Sequence, residues 1–253
     1  MSAIGAWGDP GIARAYASWE RPAYWLLGYP FLFRSLGLDD PAADDGPVVD
    51  LGCGHGAVAA HVAQRFGCPV VAADPSPAMV EIARREYAHP RVEYQLMADQ
   101  RLDLPGSVAR AAYSAFVFAA VPTRAALGAL ADEAARVLRP GARFCVLDMN
   151  PASAGTATPR SRIGTPGRVY AEGEPLVAVL RPKEGPELHL NAYHWPARVY
   201  TEVLGGAGFT DLRTERPTLA DAPGVADPDL LASHRLPLDP SASPFIVVTG
   251  TRA

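Results

Sequence analysis

The feature that most constrains this chain is an apolar run that leads straight into a glycine-rich turn. Residues 48–51 read Val-Val-Asp-Leu, and Gly52, Gly54 and Gly56 then alternate with other residues before a helical pattern starts at Ala57. Alternate glycines allow a tight turn and let a ligand approach main-chain N–H groups at the start of a helix. A strand, a glycine turn and a helix in this order predict a nucleotide-binding α/β fold.

Short apolar runs alternate with amphipathic segments from Pro47 to Arg143, which is the pattern of successive βαβ units around a parallel sheet. We predict strands at residues 48–51, 70–73, 92–97, 113–118 and 143–149. Helices are predicted at residues 57–66, 76–87 and 123–138. The last two helices begin with a Ser or Thr that can cap them, and the helices should cover both faces of the sheet.

The segments outside this core are less regular. The stretch Ile12–Leu38 is helical in pattern and rich in aromatic residues, which predicts helices anchored to the core by large rings, with one or two rings left to cover a ligand. After the fifth strand we predict a loop at 151–168. A β-hairpin should follow, with strands 176–180 and 188–193 around a turn at 183–185. We then predict a helix from Pro196 to about Gly205, strands at 210–213 and 245–249, and a long loop at 217–244 between these strands.

Asp50 lies in the first predicted strand, and two further acids follow the second and third predicted strands. Asp74 can accept both hydrogen bonds of a ribose diol, and Asp99 can receive an adenine amino group. We expect Asp74 to be an exposed turn carboxylate. Each acid could instead serve only its own turn, since Asp74 precedes Pro75 and could merely form a turn, while Asp99 could cap residues 100–102. Together, at the carboxyl ends of neighbouring strands, they favour a nucleoside ligand.

Composition excludes several partners. The net charge is −4 and Lys183 is the one lysine, so the sequence has no broad basic surface for nucleic acid. It has neither a run of about eighteen apolar residues nor a basic and then apolar leader, so we expect a soluble, cytoplasmic protein that does not bind membranes. Cys53, Cys68 and Cys145 are far apart, which predicts buried free thiols rather than disulfides or a metal site. We expect a small-molecule partner and a monomer or homodimer.

Four segments resemble motifs of the class I S-adenosylmethionine-dependent methyltransferases: Asp50-Leu51-Gly52-Cys53-Gly54-His55-Gly56, Asp74-Pro75-Ser76 through Met79, Ala98-Asp99, and Arg136-Val137-Leu138-Arg139-Pro140-Gly141. The resemblance extends over roughly residues 50–245. Tyr193-His194-Trp195-Pro196 and Ser243-Pro244-Phe245 are similar to bacterial small-molecule methyltransferases of natural-product pathways.

This resemblance implies a Rossmann-like seven-stranded mixed sheet with helices on both faces and an antiparallel last strand. It implies one methyltransferase domain made of an N-terminal helical lid (1–46), a cofactor-binding core (47–150), an inserted loop and β-hairpin (151–195) and the C-terminal part of the core (196–253). It also implies S-adenosylmethionine as cofactor, without a metal.

By the same resemblance, Asp50 and the glycines hold the methionyl end, Asp74 the ribose, and Met79, Asp99 and Gln100 the adenine. The full set of expected cofactor-binding residues is Tyr16, Asp50, Gly52, Cys53, Gly54, Gly56, Asp74, Pro75, Met79, Asp99, Gln100 and Phe116. The chain departs from the family at its fourth strand, which has Arg110 where an acid is frequent and ends in Ala119-Ala120-Val121-Pro122 instead of histidines.

The expected activity is methyl transfer to a small molecule, with His194 as candidate general base and Tyr24, Tyr193 and Trp195 as candidate acceptor-binding residues. His194 could instead only cap or pack the start of the following helix. Two other functions stay open. A dinucleotide-dependent oxidoreductase would share the glycine turn but would explain neither Asp50 nor Asp99. Alternatively, the chain could bind S-adenosylmethionine without transferring its methyl group.

Overall fold

The computed structural model describes residues 5–19, 21–39, 46–156, 160–182, 186–234 and 239–253. Its main sheet has seven strands in the order β3-β2-β1-β4-β5-β10-β9. The strands are β1 (Val48–Leu51), β2 (Val70–Asp74), β3 (Val92–Leu96), β4 (Ala109–Ala115), β5 (Leu138–Met149), β9 (Phe209–Glu215) and β10 (Phe245–Arg252). Only β10 runs antiparallel to its neighbours within this sheet. The predicted seven-stranded mixed sheet is therefore confirmed.

Most helices begin at a capping side chain or a proline. They are α1 (Pro10–Ala17), α2 (Pro22–Leu27), α3 (Tyr29–Leu36), α4 (Ala57–Phe66), α5 (Pro77–Glu86), α6 (Arg124–Val137), α7 (Ala197–Gly206) and α8 (Pro228–Ser233). The Asp9 carboxylate accepts from the first N–H groups of α1, and the Ser76 and Thr123 hydroxyls do the same for α5 and α6. A capping oxygen satisfies donors that have no partner within the helix, so these residues fix the helix starts.

Helices cover both faces of the sheet, as predicted. Along β5, Cys145 and Leu147 join a buried cluster with α2, α3 and α4, whereas Phe144 and Val146 face the other way, toward α6 and α7. This alternation follows from the two-residue period of a strand. Cys53, Cys68 and Cys145 are all buried and free, which confirms the prediction for the thiols.

A second sheet of three antiparallel strands is inserted after β5. It consists of β6 (Ser161–Ile163), β7 (Pro175–Leu180) and β8 (Leu188–Tyr193). The predicted hairpin is confirmed, with Pro175 opposite Tyr193 and Leu180 opposite Leu188. The turn predicted at 183–185 lies outside the described residues. The uninterrupted loop predicted at 151–168 is wrong, because β6 pairs with the outer edge of β7.

Some predicted boundaries are also wrong. The fourth strand was expected at 113–118, but it ends at Ala115 because Phe116 has a left-handed backbone with φ +61°, and a 3₁₀ turn follows at Phe118–Ala120. The fifth strand begins earlier than expected, at Leu138, which pairs with Ala109. The segment 217–244 is not a continuous loop, since it contains α8 and a 3₁₀ turn at Leu219–Asp221.

The aromatic N-terminal stretch forms the short helices α1, α2 and α3. Most of its rings are buried in the main core, which confirms their anchoring role: Trp19, Tyr24, Tyr29, Phe31 and Phe33. Tyr16 is only partly buried. In the part of the chain that the structure describes, no helix combines the length and the apolar character needed to span a membrane.

Candidate active site

The glycine turn between β1 and α4 lies at the point where the strand order reverses, which is where open α/β sheets bind ligands. Gly52, Gly54 and Gly56 all have positive φ angles, of +84°, +55° and +89°. A Cβ on Gly52 would lie 2.3 Å from a methyl of Val117, and one on Gly56 would lie 2.8 Å from the Tyr94 hydroxyl. A Cβ on Gly54 would meet nothing within 4 Å. Packing therefore requires two of the glycines, and the third opens onto free space that a ligand can enter.

Asp74, at the end of β2, holds this turn in place. Its two carboxylate oxygens accept hydrogen bonds from the Gly54 and Ser76 N–H groups, both at 2.8 Å. Asp74 is 8% exposed, so the expectation of an exposed carboxylate is wrong, while its role in its own turn is confirmed. Burial raises the pKa of Asp74 to about 6. Because a carboxylate offers about four lone-pair positions, two remain for the hydroxyls of a ligand.

Asp50, in β1, lies deeper in the sheet and is 1% exposed. It stands opposite Tyr113 in the parallel ladder with β4, and the Tyr113 hydroxyl donates to its Oδ2 at 2.9 Å. Burial raises the pKa of Asp50 to about 8 even though this hydrogen bond opposes the shift. No lysine or arginine pairs with Asp50 among the described residues. Its carboxyl is therefore suited to a cationic group of a ligand.

A tight turn at residues 98–101 follows β3, and the Arg101 N–H donates to the Ala98 carbonyl at 2.8 Å. Asp99 and Gln100 occupy its two central positions with φ angles of +49° and +57°, which is strained for residues other than glycine. The capping role considered for Asp99 is wrong, because the Leu102 N–H donates to Glu133 instead. The Asp99 side chain is exposed, and Gln100 has a buried Oε1 without a hydrogen-bond partner in the described chain.

The N-terminal segment packs against the glycine turn. The Tyr16 ring packs edge to face with Trp7 and with His55 of the glycine turn, at centroid distances of 4.9 and 6.0 Å. The Ser76 hydroxyl donates to the Trp7 carbonyl at 2.6 Å. Met79, expected beside adenine, is almost fully buried in a cluster with Ala13 of α1. Tyr16 therefore lies beside the glycine turn, and Met79 lies beneath α1.

Two of the three candidate acceptor-binding residues, Tyr193 and Trp195, lie at a small cavity between the end of β5 and the inserted sheet. Tyr193, His194 and Trp195 line it together with Met149. The Trp195 indole N–H donates to the Val121 carbonyl at 3.1 Å within the core, which gives this residue a structural role. His194 stacks on Tyr170 at 5.9 Å, and burial lowers its pKa against an opposing effect of Glu174. His194 is therefore neutral near pH 7 and able to accept a proton.

Tyr24 and Phe116 reach Met149 from the opposite side. Their rings lie 4.4 Å apart, and the Tyr24 hydroxyl donates to the Met149 sulfur at 3.7 Å. The Tyr24 ring also packs on Phe245 at 4.8 Å. Met149 thus joins the aromatic group beneath the N-terminal helices to the cavity that contains His194.

Comparisons with known proteins show the family to which the chain belongs. Residues 48–141 match a family model described as a methyltransferase domain. A curated N-demethylindolmycin N-methyltransferase from Streptomyces griseus is 34% identical over 240 residues, which cover 94% of this chain and 92% of that protein. The chain is a class I S-adenosylmethionine-dependent methyltransferase.

Solved structures share the fold of this methyltransferase at lower identity. The CcbJ methyltransferase from Streptomyces caelestis is 21% identical, with a TM-score of 0.62 over 93% of this chain and 99% of that chain. A geranyl diphosphate methyltransferase solved in complex with S-adenosylmethionine is 18% identical, with a TM-score of 0.57 over 99% of this chain and 94% of that chain. Membership of the family sets aside the oxidoreductase alternative.

S-adenosylmethionine is the cofactor of this methyltransferase, and the residues at the strand ends fit it. The space at Gly54 admits a ligand against the main chain, and Asp74 keeps unused acceptor positions. The buried Gln100 Oε1 lacks a donor, which an amino group can supply. Asp50 offers a buried carboxyl that suits a cationic group such as an ammonium.

Cofactor binding should release a proton from Asp50. With a pKa of about 8, this group is mostly protonated at pH 7 in the free enzyme, and a neighbouring ammonium group favours the ionised form. The affinity for S-adenosylhomocysteine should therefore rise as the pH increases through 7 and level off above 8. Titration calorimetry in buffers of different ionisation enthalpy measures the release, which should approach one proton per site at pH 7. In Asp50→Asn the release should vanish, whereas an Asp50→Asn enzyme that releases as many protons as the wild type would contradict this assignment.

Proposed function

We propose that this enzyme methylates a nitrogen atom of a small, largely apolar molecule of the natural-product type. The observation that carries the proposal is the 34% identity, over almost the whole chain, to an enzyme whose name describes N-methylation of an indolmycin precursor. The cavity beside His194 supports it. Most of the cavity lining is apolar or aromatic, and it has too few polar groups to suit a highly charged acceptor.

We propose that the cofactor-binding residues divide among the three parts of S-adenosylmethionine. The glycine turn with Cys53, Asp50 and Tyr16 would hold the methionyl end, and Asp74 with Pro75 would hold the ribose. Asp99, Gln100 and Met79 would surround the adenine. Phe116 would contact the cofactor from the end of β4. The supporting features are the shared strand edge, the free space at Gly54 and the unpaired acceptor on Gln100.

When bound, S-adenosylmethionine supplies a methyl group activated by a sulfonium. The protein's part in such a displacement is to align the two reactants and exclude water, since positive charge disperses as the methyl moves. Two segments of the chain would form the roof, the lid of residues 1–46 and the insert of residues 151–195, within one methyltransferase domain. Contacts of α1 and of the 3₁₀ turn Gly5–Gly8 with β8 support this arrangement.

His194 would accept the proton that the nitrogen loses. Its lowered pKa keeps the imidazole neutral, and it lines the cavity next to Tyr193. Tyr24 and Tyr193 would position the acceptor, while Trp195 would shape the cavity wall from its fixed place in the core. The alternative is a purely structural role for His194, whose ring stacks on Tyr170 in the segment between β6 and β7.

Product analysis tests this function. The enzyme should transfer a labelled methyl group from S-adenosylmethionine to members of a panel of small heteroaromatic amines, and mass spectrometry should find the label on nitrogen. Matched hydroxyl compounds of the same ring systems serve as the control and should react far more slowly. Label found on carbon or oxygen would overturn the nitrogen assignment, and cofactor binding without transfer to any panel member would favour a binding protein.

A further inference from the structure

Three buried side-chain nitrogens beside the glycine turn have no hydrogen-bond partner in the described chain. They are Trp19 Nε1, Arg21 Nε and His55 Nδ1. Native proteins pair almost all buried polar groups, so an isolated case requires an explanation. Three cases in one place indicate an acceptor that the described part of the chain does not provide.

The three groups surround the ring of Tyr16. The Arg21 guanidinium carbon lies 4.4 Å from the centroid of the Tyr16 ring and 5.5 Å from that of Trp19. The His55 and Trp19 rings lie 6.0 and 6.1 Å from the Tyr16 ring. The side chains are therefore close enough for one small ligand group to contact more than one of them.

The charge of this cluster is unbalanced. Arg21 donates from one nitrogen to the Tyr16 carbonyl at 2.7 Å and interacts with Tyr29, but no carboxylate pairs with it among the residues that the structure describes. An arginine stays charged when buried, so it requires a counter-ion. Burial and the charge of Arg21 lower the pKa of His55 to about 3, which leaves this imidazole neutral with one N–H to donate. The cluster thus presents one positive charge and several donors.

We propose that Arg21, Trp19 and His55 form the receptor for the carboxylate of the methionyl end of S-adenosylmethionine. A carboxylate is the anion that the cofactor carries, and a guanidinium with neighbouring N–H donors matches its geometry. His55 lies within the glycine turn itself, and the Asp50 carboxyl lies at the start of that turn. The zwitterionic end of the cofactor is then held by Asp50 at its ammonium and by Arg21 at its carboxylate. This inference rests on the cofactor and is independent of the methyl acceptor.

The position of Arg21 gives the contact a second consequence. Arg21 joins α1 to α2, and its hydrogen bond to the Tyr16 carbonyl ties it to the end of α1. Pairing of Arg21 with the cofactor therefore fixes α1 over the site. Ligands that lack the carboxylate should leave α1 less protected from amide hydrogen exchange than S-adenosylhomocysteine does.

Calorimetry with two ligands tests the proposal. S-adenosylhomocysteine carries the carboxylate, and 5′-methylthioadenosine lacks the whole amino-acid end. Arg21→Met should weaken binding of S-adenosylhomocysteine about one hundredfold and that of methylthioadenosine less than about threefold. Arg14→Met is the matched control, because Arg14 is exposed on α1, and it should change neither affinity. In the wild type, S-adenosylhomocysteine should protect α1 from amide hydrogen exchange, and methylthioadenosine should not.

Three results would overturn the proposal. An equal loss of affinity for both ligands would show that Arg21 only supports the fold, and an unchanged affinity for S-adenosylhomocysteine would place its carboxylate elsewhere. An intact cofactor affinity with a raised KM for the acceptor would assign Arg21 to an acceptor carboxylate. If Arg21→Met fails to fold, Arg21→Lys keeps the charge but loses the orphaned donor, and it should show an intermediate loss for S-adenosylhomocysteine only. None of these outcomes bears on whether nitrogen is methylated, which the labelled-product experiment decides.

Discussion

Replacing Asp74 with alanine should reduce the affinity for S-adenosylmethionine about 30- to 700-fold, which corresponds to about 2 to 4 kcal/mol of binding free energy. Two charge-assisted hydrogen bonds to the ribose would be lost. The substitution also removes the oxygens that hold the Gly54 and Ser76 N–H groups, so the binding loop itself loses its support. Titration calorimetry measures the affinity, and chemical denaturation of the same variant measures the free energy of unfolding.

The two measurements separate the ribose contact from the support of the loop. Because Asp74 is buried, we expect a loss of about 1 to 3 kcal/mol in the free energy of unfolding, smaller than the loss in binding. Asp132→Ala removes an exposed acid from α6 and should change neither quantity. A variant of Asp74 that folds less stably yet binds the cofactor with full affinity would limit this residue to its turn.

His194→Ala should lower the turnover number about one hundredfold or more while the cofactor affinity stays unchanged. A general base must be unprotonated, so the wild-type rate should fall as the pH drops through the pKa of His194. Burial places that pKa below the usual value of 6.5, and the loss of rate should therefore begin below neutral pH and disappear in the variant. Steady-state kinetics between pH 5 and 8 provide both readouts.

His189→Ala is the matched control, because His189 is exposed on β8, the strand that leads to His194. It should keep the wild-type turnover number and pH profile. A His194→Ala enzyme that keeps both would leave alignment alone as the source of catalysis, and one that unfolds would indicate that the imidazole serves the packing on Tyr170.

The parts of the site predicted correctly from the sequence are those encoded locally. The glycine turn and the strand before it are continuous in sequence, so their order alone indicated the fold, and α4 has the predicted bounds. The short strand β6 escaped prediction because its three residues become a strand only by pairing with β7. The end of β4 was missed because the left-handed backbone of Phe116 interrupts an apolar run that otherwise suits a strand.

Side-chain partnerships across the fold could not be predicted from local pattern. Tyr113 was not singled out as a partner of Asp50, since that contact depends on the register between β1 and β4. Asp74 was expected to be exposed, because a turn before proline is usually at the surface, but it is buried and hydrogen-bonded to the glycine turn. Arg21 gave no sequence signal at all. A role for Arg21 can be inferred only from the fold, in which no described carboxylate pairs with its guanidinium.

The cavity beside His194 is built mainly from residues beyond the segment 48–141 that matches the family model. The cofactor loop and its acids lie inside that segment, whereas Met149, Tyr193 and the strands of the inserted sheet lie after it. Under the proposed function, side chains of the insert can be exchanged to reshape this cavity without disturbing the segment that carries the glycine turn and its acids. Such a division of the chain allows one ancestral enzyme to diversify into many, each keeping the same methyl donor while acquiring its own product.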